Sequence, residues 1–196
     1  FEFPTEASFV CYGDHISLFC DDERQARGFL NADGVIENSM RVVAEKSGAL
    51  PDKFRDCIFR VMPSQQYGAA KEFKKKVLAL TKAVDEGKIG DLEGGKEAEQ
   101  EEAAYFESLQ ESALKEEEMN GERNRELIDA RAVLKYGHTI QLMHVKTGKY
   151  VTTDTKRVAT QEKDCQYVGL DDVGSAFSWF TVLPRYKMRA VGDEVE

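Results

Sequence analysis

Two short blocks occur twice along this chain in the same order, and a third copy of the first begins near its end. Tyr12-Gly13-Asp14-His15-Ile16-Ser17-Leu18-Phe19 reads against Tyr136-Gly137-His138-Thr139-Ile140-Gln141-Leu142-Met143 at an offset of 124. Phe59-Arg60-Val61-Met62-Pro63 reads against Phe180-Thr181-Val182-Leu183-Pro184 at an offset of 121, and Gly28-Phe29-Leu30 against Lys149-Tyr150-Val151 at that same offset. Val191-Gly192-Asp193-Glu194-Val195 then resembles the Tyr12 block once more. Units built of short strands cannot each close a core, so they must fold against one another. The pattern points to a lobed, pseudo-symmetric β fold.

The spacing of the copies locates an insertion. Pro184 precedes Gly192 by 8 residues, whereas Pro63 precedes the equivalent Gly137 by 74, an excess of 66. Within that excess, Ser64 is placed to cap a helix whose apolar stripe is Phe73, Val77, Leu80 and Val84. Lys71, Lys74, Lys75, Lys76 and Lys82 occupy its other faces, and Gly87 is the expected stop. A loop containing Gly87, Gly90, Gly94 and Gly95 leads to a second helix from Glu97 to Met119, with nine glutamates and a stripe of Tyr105, Phe106, Leu109 and Ala113. Asn120-Gly121 is expected to break it before a short helix through Leu127. A basic helix followed by an acidic one predicts an antiparallel hairpin arm projecting from a β body. The expected organisation is therefore a first lobe at 1–63, the arm at 64–131, a second lobe at 132–190 and the start of a third at 191–196.

In the first lobe Ile16, Leu18 and Cys20 alternate with Ser17 and Phe19, the period-2 pattern of a half-buried strand, with Cys20 expected as a small core residue. Ser47-Gly48 reads as a turn. In the second, Ile140, Leu142 and His144 alternate inward, Thr147-Gly148-Lys149 is a tight turn, and Ser178 to Val182 is the last strand. Trp179 aligns with Ile58 and is expected in core or rim packing.

Charge and composition exclude several functions. A net charge of −9 and a pI near 5.0 argue against nucleic acid, whose phosphates draw on clustered Lys and Arg. No apolar stretch reaches the length of a membrane span, so no direct membrane contact is expected. The chain begins at Phe1 without a leader and reads as a fragment of something longer. Cys11, Cys20, Cys57 and Cys165 lack metal spacing and suit a reducing, cytosolic setting.

Catalytic signatures are missing too. His144 is expected to be packed and hydrogen-bonded in the core, and His15 and His138 to be partly exposed turn residues with no nucleophile motif beside them. The stretch from Asp85 to Lys96 has the length of a calcium loop, but Gly87, Ile89 and Lys96 stand where oxygen ligands are required. No glycine-rich phosphate loop sits between a strand and a helix. Neither an enzyme nor a cofactor is expected.

Specific residues carry a resemblance. Lys53-Phe54-Arg55-Asp56-Cys57-Ile58-Phe59 with Pro63 and Tyr67, Tyr136-Gly137 with Ile140 to His144 and Lys149-Tyr150, and Ser178-Trp179-Phe180 with Pro184 to Arg189 resemble the N-terminal region of inositol trisphosphate receptors. Ryanodine receptors share the Tyr-Gly-His block but look less like the Phe-Arg-Asp-Cys stretch. The resemblance implies a suppressor domain: a β-trefoil with a helical arm and an incomplete third lobe. It would sit on the cytosolic side of a tetrameric calcium-release channel of the endoplasmic reticulum. It further implies that the ligand pocket lies in the following part of the chain, and that this domain lowers ligand affinity and couples binding to the gate. The implied contacts to that binding core and to neighbouring subunits of a homotetramer are Val35, Arg55, Lys146 and Tyr186. The arm is longer and more acidic than that of the family's vertebrate members, so no role is carried to it. A rival reading is a carbohydrate-binding trefoil of the MIR type.

Overall fold

A computed structural model describes residues 8–22, 26–44, 50–86, 96–159 and 163–196. The chain divides into two compact units, Phe1–Ser64 with Asn124–Glu196, and Gln65–Arg123. The expected turn at Ser47-Gly48 and the glycines at 87–95, with the rejected calcium loop they belong to, lie outside the described residues.

The first unit is mainly antiparallel β. Its strands are β1 (His15–Ile16), β2 (Phe19–Asp22), β3 (Ala26–Ala32), β4 (Met40–Ala44), β5 (Phe59–Pro63), β6 (Thr139–His144), β7 (Tyr150–Val158), β8 (Gln166–Asp171) and β9 (Phe180–Thr181). One sheet runs β1-β5-β6-β7-β8, with β9 also paired to β6, and a second runs β2-β3-β4. Inward residues of several strands form one core: Phe59 and Val61 of β5, Ile140 and Leu142 of β6, Val151 of β7 and Leu170 of β8, joined by Tyr12, Ala32 and Leu134. Burying each large apolar side chain of this kind is worth about 1.5–3 kcal/mol.

The internal repeat is reproduced in the strand pairing. His15 and Ile16 pair with Arg60 and Phe59, and their equivalents Thr139 and Ile140 pair with Thr181 and Phe180. The turns repeat as well. Gly13, Gly137 and Gly192 all have left-handed φ, of 90°, 94° and 101°, a region open to glycine because it has no Cβ. Gly13 N donates to Val61 O at 2.8 Å and Gly137 N to the equivalent Val182 O at 2.7 Å. In each copy the residue after the glycine accepts, through its side chain, from the backbone N–H three residues earlier: Cys11 to Asp14 at 2.8 Å, Lys135 to His138 at 3.4 Å and Ala190 to Asp193 at 2.8 Å. Three backbone bonds then close a ring, from Val10 to Val195, from Val195 to Leu134 and from Leu134 back to Val10, at 2.8, 2.9 and 2.7 Å.

Two strand-level expectations are corrected. The alternating run from Ile16 to Cys20 is not one strand: β1 pairs with β5 while β2 pairs with β3, so the chain changes partner at Ser17-Leu18. Ile16 and Leu18 still pack on the core, but Cys20, opposite Gly28, is half-buried and outside it. Trp179 is 43% exposed and so lies outside the core, because it follows the 3-10 turn Ala176–Ser178 that buries Ser178 instead.

The second unit is built on α1 (Gly68–Asp85) and most of α2 (Lys96–Asp129). Ser64 does not cap α1. Tyr67 holds the cap position without a side-chain bond, and the Glu116 carboxylate reaches across from α2 to accept from Ala69 and Ala70 N–H at 2.9 and 3.1 Å. A carboxylate there satisfies orphan donors and complements the helix dipole. Helix α2 runs through Asn120-Gly121 without a break. The Asn120 side chain bonds Gln66 N and O, both at 2.8 Å, so it does not compete for its own backbone. The hairpin packs along Phe73 and Phe106, whose rings lie 5.3 Å apart, and Lys76 meets Glu102 at 2.6 Å. Leu80, Leu109 and Ala113 are half-buried, whereas Val77, Val84 and Tyr105 face solvent, so both stripes are narrower than their spacing predicts.

Candidate functional site

The residue Lys146 organises one end of the β unit. It sits in the turn after β6, where its ammonium lies 2.9 Å from Asp33, just past β3, and 2.9 Å from Asp56, in the 3-10 turn Phe54–Cys57. One cation thus ties three chain segments that are remote in sequence. Hydrogen bonding to Asp33, and then to Asp56, pushes the Lys146 ammonium above its ordinary pKa, and the bond to Lys146 holds the Asp33 carboxyl below its own.

Behind this cluster lies His144. Its ring is fully buried, tilted against Phe59 at 5.5 Å, with Nδ1 2.9 Å from Thr147 Oγ1. Burial lowers its pKa, partly opposed by the Asp56 carboxylate, so the imidazole is neutral near pH 7. The expected packed histidine is therefore what the fold contains. Next to it Asn31 donates to the buried Cys57 thiol at 3.5 Å, and burial raises that thiol's pKa. His138 is not a plain turn residue. Its ring stacks on Tyr12 at 6.2 Å and its Nδ1 lies 3.2 Å from the Tyr12 hydroxyl, joining the first copy of the repeat to the second.

Three of the four sequence-named contact residues surround the Lys146 cluster. Val35 is 70% exposed on the loop that begins at Asp33, and Arg55 is an exposed neighbour of Asp56. Ile36, which sequence reasoning missed, is 86% exposed beside Val35. The loop carrying them is clamped at both ends. A Cβ at Gly34 would come within 2.9 Å of Leu170 and Thr147, Asn38 O accepts from Leu170 N at 2.8 Å, and Lys149 donates to Asn38 at 3.0 Å. Lys146 itself is three-quarters buried and committed to its two carboxylates. Tyr186 has no bond to this cluster. It lies 63% exposed in the segment after β9, under the Arg185 guanidinium at 5.4 Å, while Arg185 donates to Asp21 O at 3.3 Å. Met188 and Val191 on the same segment are exposed as well.

Among the described residues, no group of three or more His, Cys, Asp or Glu is placed to hold a metal ion, and no helix is long and apolar enough to cross a membrane. What the surface offers is exposed apolar side chains on loops tied to a rigid sheet. Such geometry suits docking against another protein surface.

The arrangement defines the chain as a β-rich module with a helical hairpin, built around an internal repeat and presenting fixed loop tips. The family described as inositol 1,4,5-trisphosphate/ryanodine receptor matches residues 5–196. The inositol 1,4,5-trisphosphate receptor itr-1 of Caenorhabditis elegans is 32% identical over 193 residues, covering 93% of this chain and 6% of that receptor. The chain belongs to the inositol 1,4,5-trisphosphate/ryanodine receptor family and fits its N-terminal domain.

Proposed function

We propose that this chain is the regulatory, suppressor-type N-terminal domain of a ligand-gated intracellular calcium-release channel. It lowers the channel's affinity for inositol trisphosphate and passes the effect of ligand binding toward the gate. Family membership and the chain's small share of its relative's length support a role as one part of a much larger subunit. The observation that carries the coupling role is the pair of exposed apolar tips, Val35-Ile36 and Tyr186 with Met188, mounted on fastened segments. A rigid apolar tip loses little entropy on docking, so it can favour one arrangement of neighbouring domains over another.

In this reading the β unit is a β-trefoil whose third lobe is incomplete, a reading favoured by the three equivalent glycine turns. The domain acts on the cytosolic face of the endoplasmic reticulum membrane. It docks through Val35, Arg55 and Tyr186, with Lys146 holding the first two loops, onto the following ligand-binding core and onto neighbouring subunits of a homotetramer. The domain itself performs no catalysis. The test compares inositol trisphosphate affinity of the receptor's ligand-binding region with and without this domain. Removal is expected to tighten binding, and equal affinity would refute the suppressor role.

One observation favours the carbohydrate-binding alternative. Trp179 and Phe177 are both exposed, and aromatic faces are platforms for sugars. A glycan array separates the readings, with no retained glycan expected.

A further inference from the structure

Helices α1 and α2 carry matching stripes on the faces they turn away from each other. Contact within the hairpin uses Phe73, Lys76 and Leu80 of α1 and Glu102, Phe106, Leu109, Ala113 and Glu116 of α2. At about 100° per residue, the opposite side of α1 presents Lys71, Lys74, Lys75, Leu78 and Lys82, with Asp85 at its end. The opposite side of α2 presents Glu107, Glu111, Leu114, Glu118 and Glu122, with Lys115 beside Leu114 on the same side. All twelve residues are exposed, with the leucines at 54% for Leu78 and 59% for Leu114. Among the described residues, none of the four lysines or four glutamates has an ion-pair partner, although Lys76 and Glu102 pair inside the hairpin.

Each stripe is therefore an exposed leucine among four charges of one sign and one of the other, Asp85 with the lysines and Lys115 with the glutamates, so the two carry opposite net charge. Their lengths are comparable: Lys82 lies 11 residues beyond Lys71 and Glu122 lies 15 beyond Glu107, about 16 and 22 Å of helix. Because the stripes lie on opposite outer faces of one hairpin, they cannot meet within a single copy. We propose that the α1 lysine stripe of one copy docks on the α2 glutamate stripe of a second copy of this chain. Leu78 and Leu114 would then be covered at the centre, with the charge pairs around them. Opposed charges set the register and exclude the wrong pairing, in which like stripes would face. The contact is heterologous, each copy giving one stripe and receiving the other, so it can extend around a ring of subunits. It rests on the arm alone and stands apart from the suppressor role.

The test is sedimentation velocity on the chain across a concentration series at low and high salt, with far-UV circular dichroism as the folding control. Reversible self-association that weakens with salt is expected. Lys74→Glu with Lys75→Glu, and separately Glu111→Lys with Glu118→Lys, should each weaken it at least tenfold. Mixing the two reversed variants, or combining all four changes in one chain, should restore it. If a double change lowers helicity, Leu78→Glu alone reads the same contact. A chain that stays monomeric at every concentration and salt overturns the proposal, as does association that survives both reversals. Vesicles rich in phosphatidylserine provide the third arm. Binding that the lysine variant loses, without self-association of the parent chain, would assign the stripe to an anionic membrane surface instead and overturn the proposal.

Discussion

Lys146 shows how one side chain can be read two ways. The family resemblance implies a contact residue, whereas its ammonium is spent on Asp33 and Asp56, which fastens the segments that carry Val35 and Arg55. Lys146→Met should therefore lower the melting temperature, since it strands the nearly buried Asp56 carboxylate without its cation. The sign of the pH dependence follows from the two shifts. Asp33, lowered from 3.8, contributes stability that is present above that value and lost as pH falls through its folded pKa. Lys146, raised from 10.5, contributes stability that is present below that value and lost as pH rises beyond it. Melting curves of parent and Lys146→Met should thus differ most between those limits and converge outside them. His144 adds a separate leg. Its pKa is lowered from 6.5 by burial, so stability is full above 6.5 and falls as pH drops below it, where the unfolded chain takes up a proton and the folded chain resists. His144→Gln should remove the part of the loss between pH 6.5 and the carboxylate range, and an unchanged profile would show that the ring is not the group titrating.

Element by element, the hairpin is where sequence signals competed. Asn120-Gly121 has the composition of a break, and only the Gln66 backbone, brought alongside Asn120 by packing, turns that asparagine into a clasp. Two substitutions separate the residues. Asn120→Ala should destabilise the arm by about 1–3 kcal/mol, the net value of two hydrogen bonds. Gly121→Ala should stabilise it by about 0.5–1 kcal/mol, because nothing lies within 4 Å of the added Cβ and alanine is the better helix former. Thermal denaturation followed at 222 nm reads both. If Gly121→Ala destabilised instead, α2 would not be continuous there. The strand from Ile16 to Cys20 teaches the same lesson in β structure: alternation was legible, but the change of pairing partner at Ser17-Leu18 depended on where β3 and β5 came to lie.

For the whole molecule, the proposed coupling role predicts a separation between stability and signalling. Tyr186→Ala removes an exposed ring that bears on no core cluster, so the domain's melting temperature should move by no more than about 2 °C. In the assembled receptor the same change should reduce calcium flux more than ligand affinity, since truncating an interface aromatic can cost about 2 kcal/mol or more. Paired binding and flux assays check this, and either normal flux or a collapsed melting temperature would return Tyr186 to ordinary packing.

Covalent order alone determined the repeat, the insertion and the family. Tyr12-Gly13, Tyr136-Gly137 and Val191-Gly192 announce equivalent turns because a left-handed glycine is a local requirement, and the excess length before Gly137 announces the arm whatever its packing. The charge asymmetry of α1 and α2 was equally plain, since it is written in residue types. The tertiary structure decided everything that depends on which distant segments meet. It brought Asp33, Asp56 and Lys146 together, gave Asn120 the Gln66 backbone and Ala69 the Glu116 carboxylate, and left Trp179, Val77 and Ile36 facing solvent. Burial and pairing are properties of neighbours in space, and period-2 or period-3.6 patterns report a face without saying what covers it.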